Sequence, residues 1–280
     1  MALVRLVMLV IVSLVAFAAN SVLTRLALAD GLMDAASFTM IRLLSGSIAL
    51  LLILSLQNGV KAIRPAGSWL ASSMLFIYAV VFSYAYLMLA TGTGALILFG
   101  MVQLTMVSVS LLRGEHLRLP QVAGILLALL GLAYLVWPEV SQPSWLGVVL
   151  MVVAGMAWAG YTLLGRGSNK PLADTAFNFL RTTPMVLVLF MVTLTTTAAT
   201  FTGTLLAILS GAVASGAGYA IWYSVLRHIS SLQAGVLQLL VPAIAAFGGV
   251  LFVTEPISLR LLLASGLILG GIFIVLARKR

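Results

Sequence analysis

Apolar runs of about 17–25 residues, separated by short polar breaks, fill this sequence and leave it few ways to fold. A bilayer core offers no water to unpaired backbone groups, so a spanning chain must be helical or close into a barrel. Barrel strands would be shorter and would alternate in polarity; these runs do neither. The composition agrees: 62% of the 280 residues are hydrophobic and 8% are charged, with a mean hydropathy of +1.21. Soluble domains carry about 25% charged residues, so this chain cannot cover a surface that faces water.

Ten apolar segments are expected to be helices, at about 3–28, 37–56, 68–90, 94–112, 119–137, 145–165, 174–194, 202–226, 232–252 and 257–277. The breaks carry turn chemistry, as in "QNGVKAIRPAG", "TGTG", "GRGSNKP" and "TEP". The first segment is longer than the apolar part of a signal peptide and runs on through Asn20 to Arg25, so it reads as a retained helix. With a cytoplasmic N-terminus, Arg5, Lys61, Arg64, Arg113, Arg118, Arg166, Lys170, Arg227, Arg278, Lys279 and Arg280 fall inside, against Arg25 and Arg260 outside. That bias places both termini in the cytoplasm. Asp30, Asp34, Glu139 and Glu255 go outside, and Glu115 and Asp174 inside. The net charge of +9 follows from these loops and implies no nucleic-acid partner. Cysteine is absent, which excludes disulfides, thiolate metal sites and cysteine nucleophiles.

The chain repeats itself. "AFAANSVLTR" (Ala16–Arg25) aligns with "AWAGYTLLGR" (Ala157–Arg166), 141 residues on. "FTMIR", ending at Arg42, aligns with "FNFLR", ending at Arg181, and Glu115 with Glu255. "YA" recurs at Tyr84–Ala85 and Tyr219–Ala220. Two halves are expected, residues 1–140 and 141–280, each with five helices. Five is odd, so the second half enters the membrane upside down, a construction common among secondary transporters.

The stretch "YAIWYSVLRHISSLQAGVLQLLVPAIAAFGGVLFVTEPIS" resembles the EamA module of the drug/metabolite transporter superfamily. That module has an aromatic-Ala stretch, a short basic loop, a small-residue helix with a proline and a glutamate opening the next loop. "FAANSVLTR", "FTMIRLLSGSIALLLIL" and "LLRGEHLRLPQVAGILLALLGLAYLV" carry the same resemblance in the first half. Within the superfamily, the YddG-type amino-acid exporters are the subgroup the chain resembles. The resemblance implies an all-α integral membrane fold of ten helices around a central cavity that opens alternately to each side. It also implies a small-metabolite substrate and no cofactor. The first half departs from the pattern: register sets Gln103 opposite Pro242, so helix 4 lacks the proline of helix 9 and the halves are expected to bend unequally.

Polar and aromatic residues deep in the apolar segments are the candidates for a substrate site. Asn20 corresponds to Tyr161, and Phe17 to Trp158. Phe99 and Gln103 share a face four residues apart, matched by Gln238 and Pro242. Gln103 and Gln238 either line a cavity or bond between helices. Tyr78 and Phe82 share a face of helix 3, and helix 8 offers Tyr219, Trp222 and Tyr223. Trp158 lies near the midplane, facing lipid or walling an apolar substrate. Trp137 and Trp145 read as interfacial anchors. Arg42 and Arg181, each about a turn inside its helix, either bond helix-end carbonyls and nearby acids (Asp34, Asp174) or capture a substrate carboxylate at the two mouths. Gly211, Ser215, Gly218, Gly248 and Gly249 suit close helix packing.

No Asp or Glu sits in a helix centre, so a midplane carboxylate relay is not expected, and His116 and His228 lie at helix ends. There is no P-loop, no HExxH and no convincing Ser–His constellation. The expectation is an inner-membrane secondary transporter, functional as a monomer among lipids, that exports small metabolites, amino acids (aromatic ones included), by alternating access. The alternatives are a nucleotide-sugar or drug substrate, a passive channel, or an intramembrane lipid-modifying enzyme.

Overall fold

In a computed structural model, residues 3–29, 31–58, 65–114, 118–136, 144–194, 198–252 and 259–277 are described. Asp30, Lys61, Arg64, Glu115, His116, Trp137, Glu139, Glu255, Arg278, Lys279 and Arg280 lie outside them, so the Glu115/Glu255 match carries no structural account. The described residues are helical apart from turns and one isolated antiparallel bridge between Met33 and Ala199. Five elements run α1 (Leu3–Leu28), α2 (Ala35–Asn58), α3 (Trp69–Tyr86), α4 (Thr91–Leu112) and α5 (Leu119–Val136). Then come α6 (Trp145–Gly165), α7 (Pro171–Arg181), α8 (Thr183–Thr193) and α9 (Phe201–Ile208). A π-helical segment (Leu209–Ala217) leads into α10 (Gly218–Leu226), followed by α11 (Ser231–Gln238), α12 (Leu240–Phe252) and α13 (Leu259–Ala277). Among the described residues, 8 helical spans are long and apolar enough to cross a membrane. The described apolar runs in α5 and α13 are shorter, Leu119–Gly131 and Leu262–Gly271.

Three expected helices are interrupted, two of them for a local reason. The segment expected at 174–194 breaks between Arg181 and Thr183, because Pro184 has no N–H for the carbonyl of Leu180. The segment expected at 232–252 breaks at Leu239, where Pro242 leaves the Gln238 carbonyl free. Helix α4, with Gln103 at the register of Pro242, runs unbroken. The segment expected at 202–226 widens into the π segment, whose sequence, LSGAVASGA, is mostly small.

Polarity is arranged inside out. Leu56, Met191, Val192, Leu251 and Phe273 are exposed, while Asn20, Arg42, Thr39, Gln103, Ser215 and Gln238 are buried. That arrangement suits a hydrocarbon surround, in which helices associate through small residues and interior polar bonds. The backbone of α2 lies directly on the π segment: a side chain at Gly211 would overlap the Arg42 carbonyl, and one at Gly46 would meet the Phe179 ring and the Gly211 carbonyl. Helices α5 and α13 pair beside the main core. Gly131 lies against Ala264, and Gly271 against Gly124, so the two run antiparallel.

Arginines tie helix ends together. Arg25, at the end of α1, donates from Nη1 to the Tyr86 carbonyl at the end of α3 (3.1 Å). Arg166, after α6, donates from Nη2 to the Ile229 carbonyl beyond α10 (3.3 Å). The first places a cation where a helix has carbonyls left over, and the second ties the end of α6 to the turn after α10.

Gly211→Val is expected to lower the thermal unfolding temperature of the detergent-purified protein, with an overpacking cost of about 1–3 kcal/mol or more. Gly92→Ala, at a position with nothing within 4 Å of an added Cβ, is the control that leaves it unchanged.

Candidate functional site

The midpoints of several helices converge on one aromatic cluster. Phe17 of α1 makes edge contacts with Trp158 of α6 (ring centroids 5.3 Å), Tyr219 of α10 (5.7 Å) and Trp222 of α10 (5.4 Å). Trp158 packs on Tyr78 of α3 (5.1 Å), Tyr219 (4.6 Å) and Tyr161 (5.8 Å). Phe82 continues the cluster from Tyr78 (5.2 Å) to Tyr86 (4.7 Å), and Tyr161 meets Tyr223 (5.3 Å). Tyr78 stands at the middle of α3, eight residues before its end at Tyr86.

Arg42 of α2 enters this cluster and is 1% exposed. It is not at a mouth: it lies about two turns into α2, which begins at Ala35 rather than 37. Its Nε donates to Ser215 Oγ (3.1 Å), and its Nη2 to the hydroxyls of Tyr78 (3.1 Å) and Tyr219 (2.9 Å). The guanidinium also lies over the rings of Tyr78 (5.2 Å) and Phe82 (5.1 Å). Tyr219 in turn donates to the Tyr78 hydroxyl (3.3 Å). Nη1 has no partner. Arg42 is the one charged side chain among the described buried residues.

Asn20 joins the same network through the π segment. Its Oδ1 accepts from Ser210 Oγ (2.7 Å) and Ser215 Oγ (3.1 Å), while its Nδ2 is unpartnered. Two serines five apart would diverge on an α-helix of 3.6 residues per turn. A π-helix bonds i to i+5, and so aligns them. The widening therefore presents Ser210 and Ser215 together to Asn20, and Ser215 to Arg42.

The remaining candidates divide. Trp158 donates from Nε1 to Gln238 Oε1 (2.7 Å), and Gln238 Nε2 reaches the Ala234 carbonyl (3.2 Å), so Gln238 bridges α11 and α6. Gln103 is buried against Gly235 with neither side-chain polar atom bonded. Phe99 is buried in the general core. Pro242 sets the break in front of α12. Arg181 is half-buried; it donates to the Ala66 carbonyl and faces the rings of Trp69 (5.9 Å) and Phe177 (6.0 Å).

Sequence reasoning singled out neither Ser210 nor the polar role of Ser215, and named Tyr219 without placing it. The signal was present. At the 141-residue offset of Phe17 and Trp158, Tyr219 corresponds to Tyr78, which it bonds, rather than to Tyr84.

Two acids fasten the helix starts. Asp34, preceding α2, accepts from Ser37 N (2.9 Å) and, across the chain, from Ala198 N (2.8 Å). Asp174, in the first turn of α7, accepts from Gly67 N (2.8 Å), and Asn178 accepts from Ser68 N (2.9 Å). Gly67 has φ +70, and a Cβ there would overlap Asn178 Oδ1. Neither acid pairs with Arg42 or Arg181, and of the alternatives Arg181 takes a backbone carbonyl, that of Ala66. Partial burial pushes the Asp34 carboxyl up, but hydrogen bonds from Ser37 and the Ala198 and Ala36 backbone outweigh it and hold it below its ordinary value. The groove between α1 and α12, about 370 Å³ and lined by Ala19, Leu23, Ile244 and Phe247, is apolar, with no residue of the Arg42 network in its wall.

Because the folded-state value is lowered, the Asp34 contribution is present above the unfolded carboxyl range and lost as pH falls through the folded value. Asp34→Asn is expected to lower the unfolding temperature modestly at neutral pH. The gap to the parent protein should close only below the ordinary Asp value of ~3.9, as followed by thermal unfolding across pH.

The sequence profile of the EamA-like transporter family matches residues 145–277. An uncharacterized protein of Pseudomonas aeruginosa is 45% identical over 98% of this chain and 96% of its own length. The uncharacterized transporter YoaV of Bacillus subtilis is 23% identical over 84% of this chain and 85% of its own. An uncharacterized transporter of Archaeoglobus fulgidus is 30% identical over 59% of this chain and 60% of its own. One crystal structure superposes with a TM-score of 0.74 at 20% identity, over 94% of this chain and 97% of the other. It is similar in fold.

Proposed function

The chain belongs to the EamA-like transporter family of the drug/metabolite transporter superfamily and is a multi-pass membrane transporter; from that premise we propose that it is a secondary carrier exporting amino acids, aromatic ones included. It works as a monomer in the inner membrane, with both termini cytoplasmic. Its ten helices form two inverted halves, residues 1–140 and 141–280, that rock about a central site. Substrate shifts the balance between the two openings only through its different affinity for each.

One observation carries this reading. Residues 141 apart in sequence, Phe17 with Trp158 and Tyr78 with Tyr219, meet each other at the centre of the molecule. Equivalent residues of two inverted halves meet only near the axis that relates them, which is where alternating access needs its binding site. The antiparallel pairing of α5 and α13 supports the inversion, since Gly124 lies against Gly271 and Gly131 against Ala264, both partners again related by an offset of 140 (124 to 264, 131 to 271). The eleven-to-two loop charge bias supports the orientation. Aromatic walls with few polar groups suit an apolar side chain and favour breadth over tight binding.

Protein reconstituted in liposomes is expected to show saturable uptake of labelled phenylalanine, accelerated by unlabelled phenylalanine on the far side. Trp158→Ala, checked for folding by gel filtration, should slow it at least ~10-fold, as loss of a central aromatic wall implies. Linear, non-saturating flux would favour a channel, and no exchange of any amino acid would defeat the substrate assignment.

A further inference from the structure

The central network has an imbalance of charge and of donors. Arg42 is buried with two hydrogens on Nη1 unused, Asn20 Nδ2 is unused, and so is the indole Nε1 of Trp222, which packs on Phe17. All three are N–H donors. The acceptors bonded to Arg42 and Asn20 are already engaged: Ser215 Oγ, Tyr78 and Tyr219 take the other Arg42 protons, and Asn20 Oδ1 takes two serines. Among the described residues no carboxylate is buried with Arg42. An uncompensated buried cation is strongly destabilising, and each orphaned donor adds to that. A chain that wanted Arg42 only for packing would have supplied an acid, as it supplies Asp34 and Asp174 to backbone amides elsewhere.

We propose that Arg42 is the receptor for a substrate carboxylate, and that the central cluster selects small monocarboxylates with a flat apolar body whether or not they carry an ammonium group. The inference rests on the carrier reading for its site and sharpens what that site recognises. Arg42 Nη1 supplies the charged donor, and Asn20 Nδ2, in the same Ser215-linked network, is a second unused neutral donor. The rings of Trp158, Tyr219 and Phe17 take the apolar body. One guanidinium balances one negative charge, so a phosphate dianion would leave excess charge in the core. No carboxylate among the described buried residues balances an ammonium group, which meets only neutral oxygens and ring faces there. The cluster fills its own centre, so the carboxylate reaches Nη1 as the rings part.

Equilibrium binding to the purified full-length protein tests this without requiring flux. Tryptophan fluorescence senses the site through Trp158 and Trp222, two of the five tryptophans, with Trp158→Phe as the check on its origin, and phenyl probes do not obscure it. The probes are L-phenylalanine, 3-phenylpropanoate, phenyl phosphate and 2-phenylethylamine, with a thermal-shift titration in parallel. The expected result is that 3-phenylpropanoate binds at least as tightly as phenylalanine, and both at least ~10-fold tighter than the amine or the phosphate, a bound set by the one-carboxylate difference. Arg42→Gln should remove that preference, and Arg42→Lys should keep part of it, while Arg113→Gln, an exposed arginine, leaves it intact. Amine binding equal to acid binding, dependence on the ammonium group, or no binding of either acid would overturn the proposal on the parent protein alone, even if Arg42→Gln fails to fold. Carboxylate-selective binding without any flux would instead defeat the carrier reading and leave the site standing. Saturable flux of amines and acids alike would do the reverse.

Discussion

A guanidinium held inside an apolar bundle without a carboxylate beside it sets the terms for everything around it. A buried guanidinium needs acceptors for its protons, and the fold spends polar side chains from three other elements on Nε and Nη2, while Nη1 is left without one. Tyr78 comes from α3, Tyr219 from α10 and Ser215 from the π segment. Those bonds require α2 to lie very close to the π segment, and the close approach requires glycine at 211 and 46. Remove any of these and the charge is stranded in a medium where stranded charges cost most.

The π segment follows from the same demand. Its sequence of mostly small residues has no strong preference against an α-helix, and nothing local calls for an extra residue in the turn. The widening brings Ser210 and Ser215 onto one face, where both reach Asn20 and one reaches Arg42. Tertiary hydrogen bonds therefore select it, and so it could not be read from spacing. The two breaks were different. Pro242 was visible as a disturbance of helix 9, and its consequence at Leu239 is local backbone chemistry. Pro184 acts in the same way, but it falls inside a segment read as one continuous helix.

What the sequence made legible was whatever repeats. Phe17 and Trp158 stood out as unequal partners in an aligned pair, and they touch. The same offset pointed to Tyr78 and Tyr219, but a competing "YA" match at Tyr84 hid it. Arg42 was misplaced towards a mouth because depth was counted along one helix from a start set two residues late. Depth in a bundle is set by neighbours: Arg42 points at the middle of α3, not at the end of α2. Gln103 and Gln238 were expected to act alike, yet only Gln238 finds a partner across the interface, since Trp158 offers an indole N–H there and Gly235 offers Gln103 no side chain at all.

The two acids complete the picture for the proposed carrier. Asp34 holds the segment just before α9, and Asp174 holds the segment just before α3, 140 residues apart in sequence. The segments they hold lie at opposite ends of α2, since Asp34 precedes its first turn and Gly67 follows its last. Both fastenings are made at once, and the aromatic cluster between them is closed. Opening one end need break only that end's hydrogen bonds, each worth about 0.5–1.5 kcal/mol, or somewhat more to a charged group. Opening both together would break two sets and expose Arg42 from both sides. In the proposed carrier, two modest, separate fastenings around one buried charge would make a single opening cheaper than a double one, the condition that separates a carrier from a channel.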